Sequence, residues 1–501
     1  MEDLVKRVLT ARVYDLAQRT PLDSAPQLSR LSGNRVYLKR EDLQPCFSFK
    51  IRGALNKIMH LTPLEKSAGV ICVSAGNHAQ GVAGSARHLG LSALVVMPRT
   101  APAIKVNAVR GLGAEVVLHG DSYSEAAAHC AHLVKQTGRT FIHPFDDPLV
   151  IAGQGTIGHE LLQQCPDMHA VFVPVGGGGL ISGIGGFLKV LNPNVRIIGV
   201  QPEDSNAMQR SLAEQQRVIL NEVGLFADGV AVKQVGHHTF EMVRHVVEKI
   251  ITVSTDELCS AIKAIYEDTR AVMEPAGALG VAGLRKMVQD EGLKDRALVA
   301  INSGANMNFN RLQFVAERTL TGEHREALFA VSIPEKPGSL RYFCESLVGD
   351  RPITEFNYRL HDRREAHIFV GIGLSHERER AAFGALLTQQ GFKNLDLTDN
   401  ELAKSHVRHM VGGRSDHTRN EVLYRFQFPE RPRALMEFLT AMNQGWNISL
   451  FHYRMHGADF GRVLVGFEIP DGEKALFQDF LENLHYAYEE ETNNPVYGMF
   501  L

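Results

Sequence analysis

The sequence predicts an α/β body of two lobes, followed by two smaller α+β modules of ferredoxin-like order. Three observations predict this. Short apolar runs alternate with helical stretches through residues 36–320, a polar break follows at 321–326, and beyond it the sequence repeats itself at an offset of 95 positions. The runs Val36–Lys39, Val70–Val73, Ala93–Met97, Glu115–Leu118, Ala170–Val175 and Ile197–Gln201 are short, and many close on Gly, Pro or Asn turns. Alternation of this kind marks a mostly parallel sheet with helices on both faces.

The repeat carries the second half. Pro334-Glu-Lys-Pro-Gly-Ser-Leu340 falls on Pro429-Glu-Arg-Pro-Arg-Ala-Leu435, and Ile353-Thr-Glu-Phe-Asn-Tyr-Arg-Leu-His361 on Ile448-Ser-Leu-Phe-His-Tyr-Arg-Met-His456. Val370-Gly371 likewise falls on Val465-Gly466. Agreement of separate stretches at one offset marks duplication. Each copy reads strand, Pro-rich turn, helix, two strands, helix, strand, the βαββαβ order. The expected organisation is a first domain over 1–320, a linker at 321–326, one module at 327–399, a connector at 400–420 and a second module at 421–501. Such a pair is either a structural duplication or a sensing device. Tyr358 and Tyr453 occupy equivalent repeat positions, each as a core aromatic or as the wall of an effector pocket.

At 501 residues the chain is too long for one core. Its net charge of −3 comes without any dense run of Lys and Arg, so a nucleic-acid partner is not expected. Nowhere do about 18 apolar residues run together, so no membrane span is expected. The N-terminal apolar residues Leu4, Val5, Val8, Leu9, Val13 and Leu16 have helical spacing, unlike a signal peptide. The six cysteines lack a Cys-x-x-Cys pair, which fits reduced thiols in the cytoplasm and gives no metal site.

Three segments of the first half suit chemistry, and none decides alone. In Ser48-Phe-Lys50-Ile-Arg-Gly-Ala54, a lysine between apolar neighbours at a helix start can lose its proton to desolvation and attack an aldehyde. A surface lysine covering apolar area with its stem reads the same way. Ser74-Ala-Gly-Asn-His-Ala-Gln-Gly81 follows a strand and opens a helix near Asn77 or His78. It is either an ordinary crossover turn or a carboxylate site built from backbone amides. Val171–Val175 leads into Gly176, Gly177, Gly178, Gly179 and Leu180, a loop able to wrap a phosphate. No Lys-Ser/Thr ends that loop, which excludes a Walker motif. Ser303-Gly-Ala-Asn306 closes the strand Ala297–Ile301 and places a hydroxyl at a strand end.

These segments, in this order, resemble the serine/threonine dehydratases of pyridoxal phosphate (PLP) fold type II, the two-lobed architecture of the tryptophan synthase β class. The likeness extends over most of residues 10–320 and includes Lys39-Arg-Glu-Asp42, Asp228-Gly-Val-Ala-Val232 and Glu274-Pro-Ala-Gly-Ala278. The repeated half resembles the paired ACT-like modules of biosynthetic threonine deaminases. The resemblance implies PLP held by Lys50, which then serves as base. It implies Asn77 at the cofactor 3-hydroxyl, Gly176–Leu180 at its phosphate, Ser303 at its ring nitrogen and Phe49 against its ring. The turn Ser74, Ala75, Gly76, Asn77, His78 would take the substrate carboxylate. L-threonine, and also L-serine, would lose water and ammonia. Isoleucine as inhibitor, valine as its antagonist and a homotetramer are implied in the same way.

Racemases of this fold use a serine in the carboxylate turn as a second acid, and Ala75 stands there instead. Catabolic deaminases lack the C-terminal modules. The asparagine turn differs in wording from that of cystathionine and cysteine synthases. A sensor with a dead site would be expected to have lost at least one of Lys50, Asn77, the glycines or Ser303.

Overall fold

The computed structural model describes the chain except for residues 102, 121, 225, 310, 361–363, 406, 411–414, 416, 430–433, 443–445, 455–459, 471, 485, 495–496 and 498–501. Parts of the second repeat copy (430–433, 455–456), of the connector (406, 411–414, 416) and His361 of the first copy thus lie outside the described residues. The chain divides into two compact units, Met1–Gly322 and Glu323–Leu501.

The first unit is built on two sheets. One has the strand order Leu22–Ser24, Arg35–Arg40, Ala297–Asn302, Ala170–Pro174, Arg196–Pro202, Lys249–Val253. All its pairs are parallel except the first. The other is parallel throughout, in the order Glu115–Leu118, Ala93–Met97, Val70–Val73, Thr140–Phe141. Val70–Val73, Ala93–Met97 and Ala170–Pro174 are buried at every residue, as helices on both faces require. Between helices and sheet lie Phe172 and Phe187, fully buried, each contributing about 1.5–3 kcal/mol by leaving water.

Two sequence expectations shift here. The N-terminal helix ends at Leu9, where the Thr10 hydroxyl bonds the Lys6 carbonyl. The chain then leaves the helix, and the Arg12 amide donates to Asn56 Oδ1. Val13 is buried in a separate small cluster with Cys46 and Ile51. The helix Arg311–Gly322 runs into the expected linker and the strand Glu326–Pro334 begins on its last residue, leaving Glu323, His324 and Arg325 between them.

The second unit repeats one pattern twice. Strand Glu326–Pro334, helix Ser339–Phe343, strands Ile353–Arg359 and Glu365–Gly373, helix Arg378–Gln389 and strand Asn394–Asp396 form the first copy. Strand Glu421–Pro429, helix Ala434–Ala441, strands Asn447–Arg454 and Phe460–Glu468, helix Lys474–Leu484 and strand Tyr488–Glu490 form the second. Ile353–Arg359 pairs antiparallel with Asn447–Arg454, so both copies share one eight-stranded sheet. Asn357 stands opposite its repeat equivalent His452, which puts an internal pseudo-two-fold between them. Phe356, Tyr358 and Phe451 on these central strands enter one aromatic core, and Tyr453 packs against it. No helix among the described residues is long and apolar enough to cross a membrane. The six cysteines are buried free thiols.

Candidate active site

Lys50 is the first residue of the helix Lys50–Met59. Two glycines bring neighbouring backbones against that helix. A Cβ on Gly81 would stand 3.1 Å from the Lys50 carbonyl carbon, and one on Gly153 would stand 2.7 Å from the Arg52 carbonyl oxygen. Behind Lys50 lies a buried charge network. Arg52 Nη1 donates to Glu160 at 2.6 Å, Arg52 Nε to Glu41 at 2.8 Å, and Lys39 Nζ to the second oxygen of Glu160 at 2.5 Å. All four side chains are buried, so each charge depends on its partners to offset lost solvation.

The Lys50 amine donates to the Pro144 carbonyl at 2.7 Å and lies 5.2 Å from the centre of the Phe49 ring. Burial pulls its pKa down to about 8, against the opposing pull of the Glu274 carboxylate. An amine so placed is available as nucleophile and base near neutral pH.

Phe145, next to Pro144, is the contact that the glycine loop is built around. A Cβ on Gly177 would fall 2.4 Å from the Phe145 ring, and one on Gly179 would fall 2.9 Å from its carbonyl oxygen. Gly178 has φ +99°, a left-handed conformation natural to glycine. The Gly177 carbonyl accepts from Thr239 Oγ1 at 2.6 Å and from the Gly236 amide at 3.3 Å. With that trans peptide fixed, the Gly178 N–H must point the opposite way. The helix Gly179–Leu191 starts here without a side-chain cap, so its first N–H groups and dipole suit a phosphate.

The asparagine turn follows the strand Val70–Val73 and opens the helix Asn77–His88. Ser74 Oγ accepts from the Gly76 amide at 3.2 Å, closing the turn, and Ser74, Ala75, Gly76 and Asn77 keep partial exposure. The His78 ring is buried, with Nε2 2.8 Å from the Ile142 carbonyl. Burial with the nearby Lys50 charge lowers its pKa to about 3. The His78 ring therefore anchors the helix, and the turn offers backbone groups rather than an imidazole.

Ser303 is buried at the end of the strand Ala297–Asn302, with Oγ 3.3 Å from the Ala276 carbonyl, and its own carbonyl accepts from the Phe49 amide at 3.1 Å. Nothing in the local sequence pattern marks that last link. Asn77 Nδ2 donates to Glu274 Oε1 at 2.5 Å, and Asn77 Oδ1 accepts from Asn306 Nδ2 at 2.7 Å. Burial raises Glu274 to about 7, although the Asn77 hydrogen bond opposes it. Glu274 and Asn306 lie within Glu274–Ala278 and Ser303–Asn306, yet only their contact with Asn77, 197 and 229 residues away in sequence, marks them. Asp228 is taken by Lys105 at 2.7 Å and Arg311 at 3.3 Å, and no cluster of three or more metal-binding side chains occurs among the described residues.

A desolvated lysine, an uncapped glycine-rich helix start and a buried hydroxyl meet the three demands of PLP: an amine for its aldehyde, amides for its phosphate and a neutral partner for its ring nitrogen. Comparison with known proteins agrees. Residues 13–304 match the family of pyridoxal-phosphate dependent enzymes, and residues 317–407 and 412–501 each match the C-terminal regulatory domain of threonine dehydratase. The chain is 54% identical over 503 residues to the biosynthetic L-threonine dehydratase IlvA of Burkholderia multivorans, spanning 100% of this chain and 99% of that one. The chain belongs to the threonine dehydratase family. Its PLP-dependent catalytic part and its regulatory part are both those of that family. The Escherichia coli biosynthetic L-threonine dehydratase IlvA is 49% identical over 500 residues, spanning 100% of this chain and 97% of that one. Among solved structures, the processed form of tomato threonine deaminase isoform 2 matches with TM-score 0.63 and 46% identity, over 63% of this chain and 87% of that one. Maize serine racemase matches with TM-score 0.59 and 32% identity, over 64% and 98%.

In the threonine dehydratase regulatory part, the structure places the two tyrosines differently. Tyr358 is buried, its hydroxyl donating to Glu335 Oε2 at 2.5 Å, and it lines a cavity between the two repeat copies with Leu340, Leu439, Met442 and Trp446. Tyr453 is half-buried and stands opposite Phe356 on the adjacent strand.

Proposed function

We propose that the chain is a cytoplasmic L-threonine ammonia-lyase that forms 2-oxobutanoate and ammonia, with L-serine as a second substrate. The observation that carries this reading is the desolvated Lys50 amine set among Asn77, the glycine loop and Ser303. Residues 1–320 are the catalytic domain. The linker 321–326 joins it to a regulatory module at 327–399, and the connector 400–420 joins that module to a second at 421–501.

Lys50 would hold the cofactor through its amine and, once free, would take the substrate α-proton. PLP, when bound, supplies an electron sink that stabilises negative charge at Cα. The backbone groups of Ser74–His78 hold the substrate carboxylate and so orient the Cα–H bond toward Lys50. Gly176–Leu180 would hold the phosphate, Phe49 would cover the ring, and Asn77 would donate to the ring oxygen. Ser303, a neutral hydroxyl, would face the ring nitrogen without supplying a charged partner for a proton there. Such a setting would favour departure of the β-hydroxyl, which leaves as water with a proton, over side reactions.

Isoleucine inhibits through the modules and valine opposes it, with Tyr358 and Tyr453 in the effector pockets of a homotetramer. The coupling would be of order 1–3 kcal/mol. The test is 2-oxobutanoate release from L-threonine with and without isoleucine. Turnover that isoleucine suppresses supports both halves of the reading. Turnover indifferent to isoleucine overturns the effector assignment, and a yellow protein without turnover overturns the lyase assignment. If Tyr358→Ala and Tyr453→Ala both leave inhibition unchanged, the pocket residues are wrong.

A further inference from the structure

The hydrogen bonds around Asn77 have a direction, and the direction is forced from outside the site. The Cys46 carbonyl can only accept, and Asn306 Nδ2 lies 2.8 Å from it. The same nitrogen faces Asn77 at 2.7 Å, so the Asn77 atom that meets it must be the oxygen. Asn77 then has to turn its nitrogen toward Glu274 Oε1, 2.5 Å away, where an acceptor awaits it. A carbonyl at one end and a carboxyl oxygen at the other agree on one polarity. Nitrogen has two hydrogens, and Glu274 uses one.

Glu274 itself has little freedom. It is buried at the N-terminus of the helix Pro275–Glu291, and its backbone amide donates to the Gly304 carbonyl at 3.2 Å. A Cβ on Gly304 would come within 2.6 Å of Glu274 Oε1 and 3.1 Å of the Ser48 Cβ. The segment Ser303–Asn306 thus supplies the hydroxyl at the ring nitrogen, a glycine that makes room for Glu274, and the amide that orients Asn77.

We infer that Asn306 and Glu274 are positioning residues that lock the Asn77 amide in one orientation, so that its second N–H, and never its carbonyl, is presented to the cofactor. The inference rests on the reading that Asn77 meets the ring oxygen of PLP. The lock acts before the cofactor arrives, so the donor needs no reorientation on binding.

The test uses the full-length chain stripped of PLP and titrated with it, read by affinity and by the absorption of the bound cofactor. Asn306→Asp keeps the shape but puts an acceptor against both the Cys46 carbonyl and Asn77 Oδ1. Asn77 must then turn over and offer its oxygen. Loss of one hydrogen bond to a charged oxygen is expected to weaken PLP binding about tenfold or more. The visible absorption is expected to move to shorter wavelength, because a ring oxygen without a donor keeps its proton. Glu274→Gln can still offer an acceptor and should keep the spectrum, whereas Glu274→Leu should lose it. Asn77→Ala is the control. If Asn77→Ala shifts affinity and spectrum while Asn306→Asp shifts neither, the lock is wrong. An unshifted Asn77→Ala overturns the Asn77 reading and the lock with it. Should Asn306→Asp not fold, Asn306→Ala takes its place, with the same direction of change expected and an unchanged spectrum overturning the proposal.

Discussion

At the residue scale, the chemistry turns on the protonation of Lys50. Its ordinary value is 10.5, and burial brings it to about 8 in the fold. The free amine is the attacking species, so the rate at which the PLP-free chain takes up PLP should climb through pH about 8 and then level. Stopped-flow absorbance across pH 6–10 (roughly the range in which a free lysine stays charged) checks this, and a rate still climbing at the upper end would refute it. The unfolded chain binds the Lys50 proton more tightly than the folded one. From this group alone, stability therefore rises with pH between about 8 and 10.5 and does not change with pH below that window. Of this site, Lys50, Asn77, the glycine loop and Ser303 could be picked out from sequence because each sits in a short local pattern with a physical use. Pro144, Glu274 and Asn306 could not, because their use arises from contacts far apart in sequence. His78 shows the opposite limit: its place in the motif was legible, while the engagement of its ring with the Ile142 carbonyl was not.

At the element scale, the helix Lys50–Met59 is placed by small residues and by buried charge. Gly153 meets the Arg52 carbonyl oxygen and Gly53 Cα, each at 2.7 Å from a would-be Cβ, and neither atom is the end of a flexible side chain. Gly153→Ala should push the Lys50 helix off its neighbour and cost about 1–3 kcal/mol, the usual range for overpacking. Urea unfolding measures the loss, and PLP-binding titration should show weakened cofactor retention because Lys50 leads that helix. Arg52→Ala acts on the other side of the same helix. It strands Glu41 and Glu160 as buried charges with one partner fewer, and should cost about 3–5 kcal/mol in the same assay. A cost below about 1 kcal/mol, the size of an exposed pair, would mean water reaches the network. Strand and helix order were legible here because the apolar runs are short and alternate with helical stretches, and Val70–Val73, Ala93–Met97 and Ala170–Pro174 are buried throughout. Element ends were less so. The N-terminal pattern continued to Leu16 while the helix stopped at Leu9, since side chains beyond it pack in a different cluster.

At the scale of the whole molecule, duplication was legible from the offset alone, but the joining of the copies was not. Repeat arithmetic cannot say which edges meet. The structure sets Ile353–Arg359 against Asn447–Arg454, so each copy covers an edge that the other would leave bare. Arg359 of the first copy pairs with Glu421 of the second, and Ser449 and Tyr497 converge on the same carboxylate. The core is likewise common property: Phe356 packs edge-to-face on Phe451 across the seam, ring centres 5.4 Å apart. Neither copy is therefore complete by itself. A chain ended after residue 410 would keep the first copy's own elements yet expose Ile353–Arg359 as an unpaired edge, with Phe356 and Tyr358 losing their neighbours across it. Such an edge invites pairing with other chains. That truncation should run as soluble aggregate in size-exclusion chromatography, whereas one ended at Gly322, which removes the whole second unit at its boundary, should stay disperse, bind PLP and turn over threonine without response to isoleucine. If the chain ended after 410 is as disperse as the one ended at Gly322, the shared sheet is not what holds the first copy together.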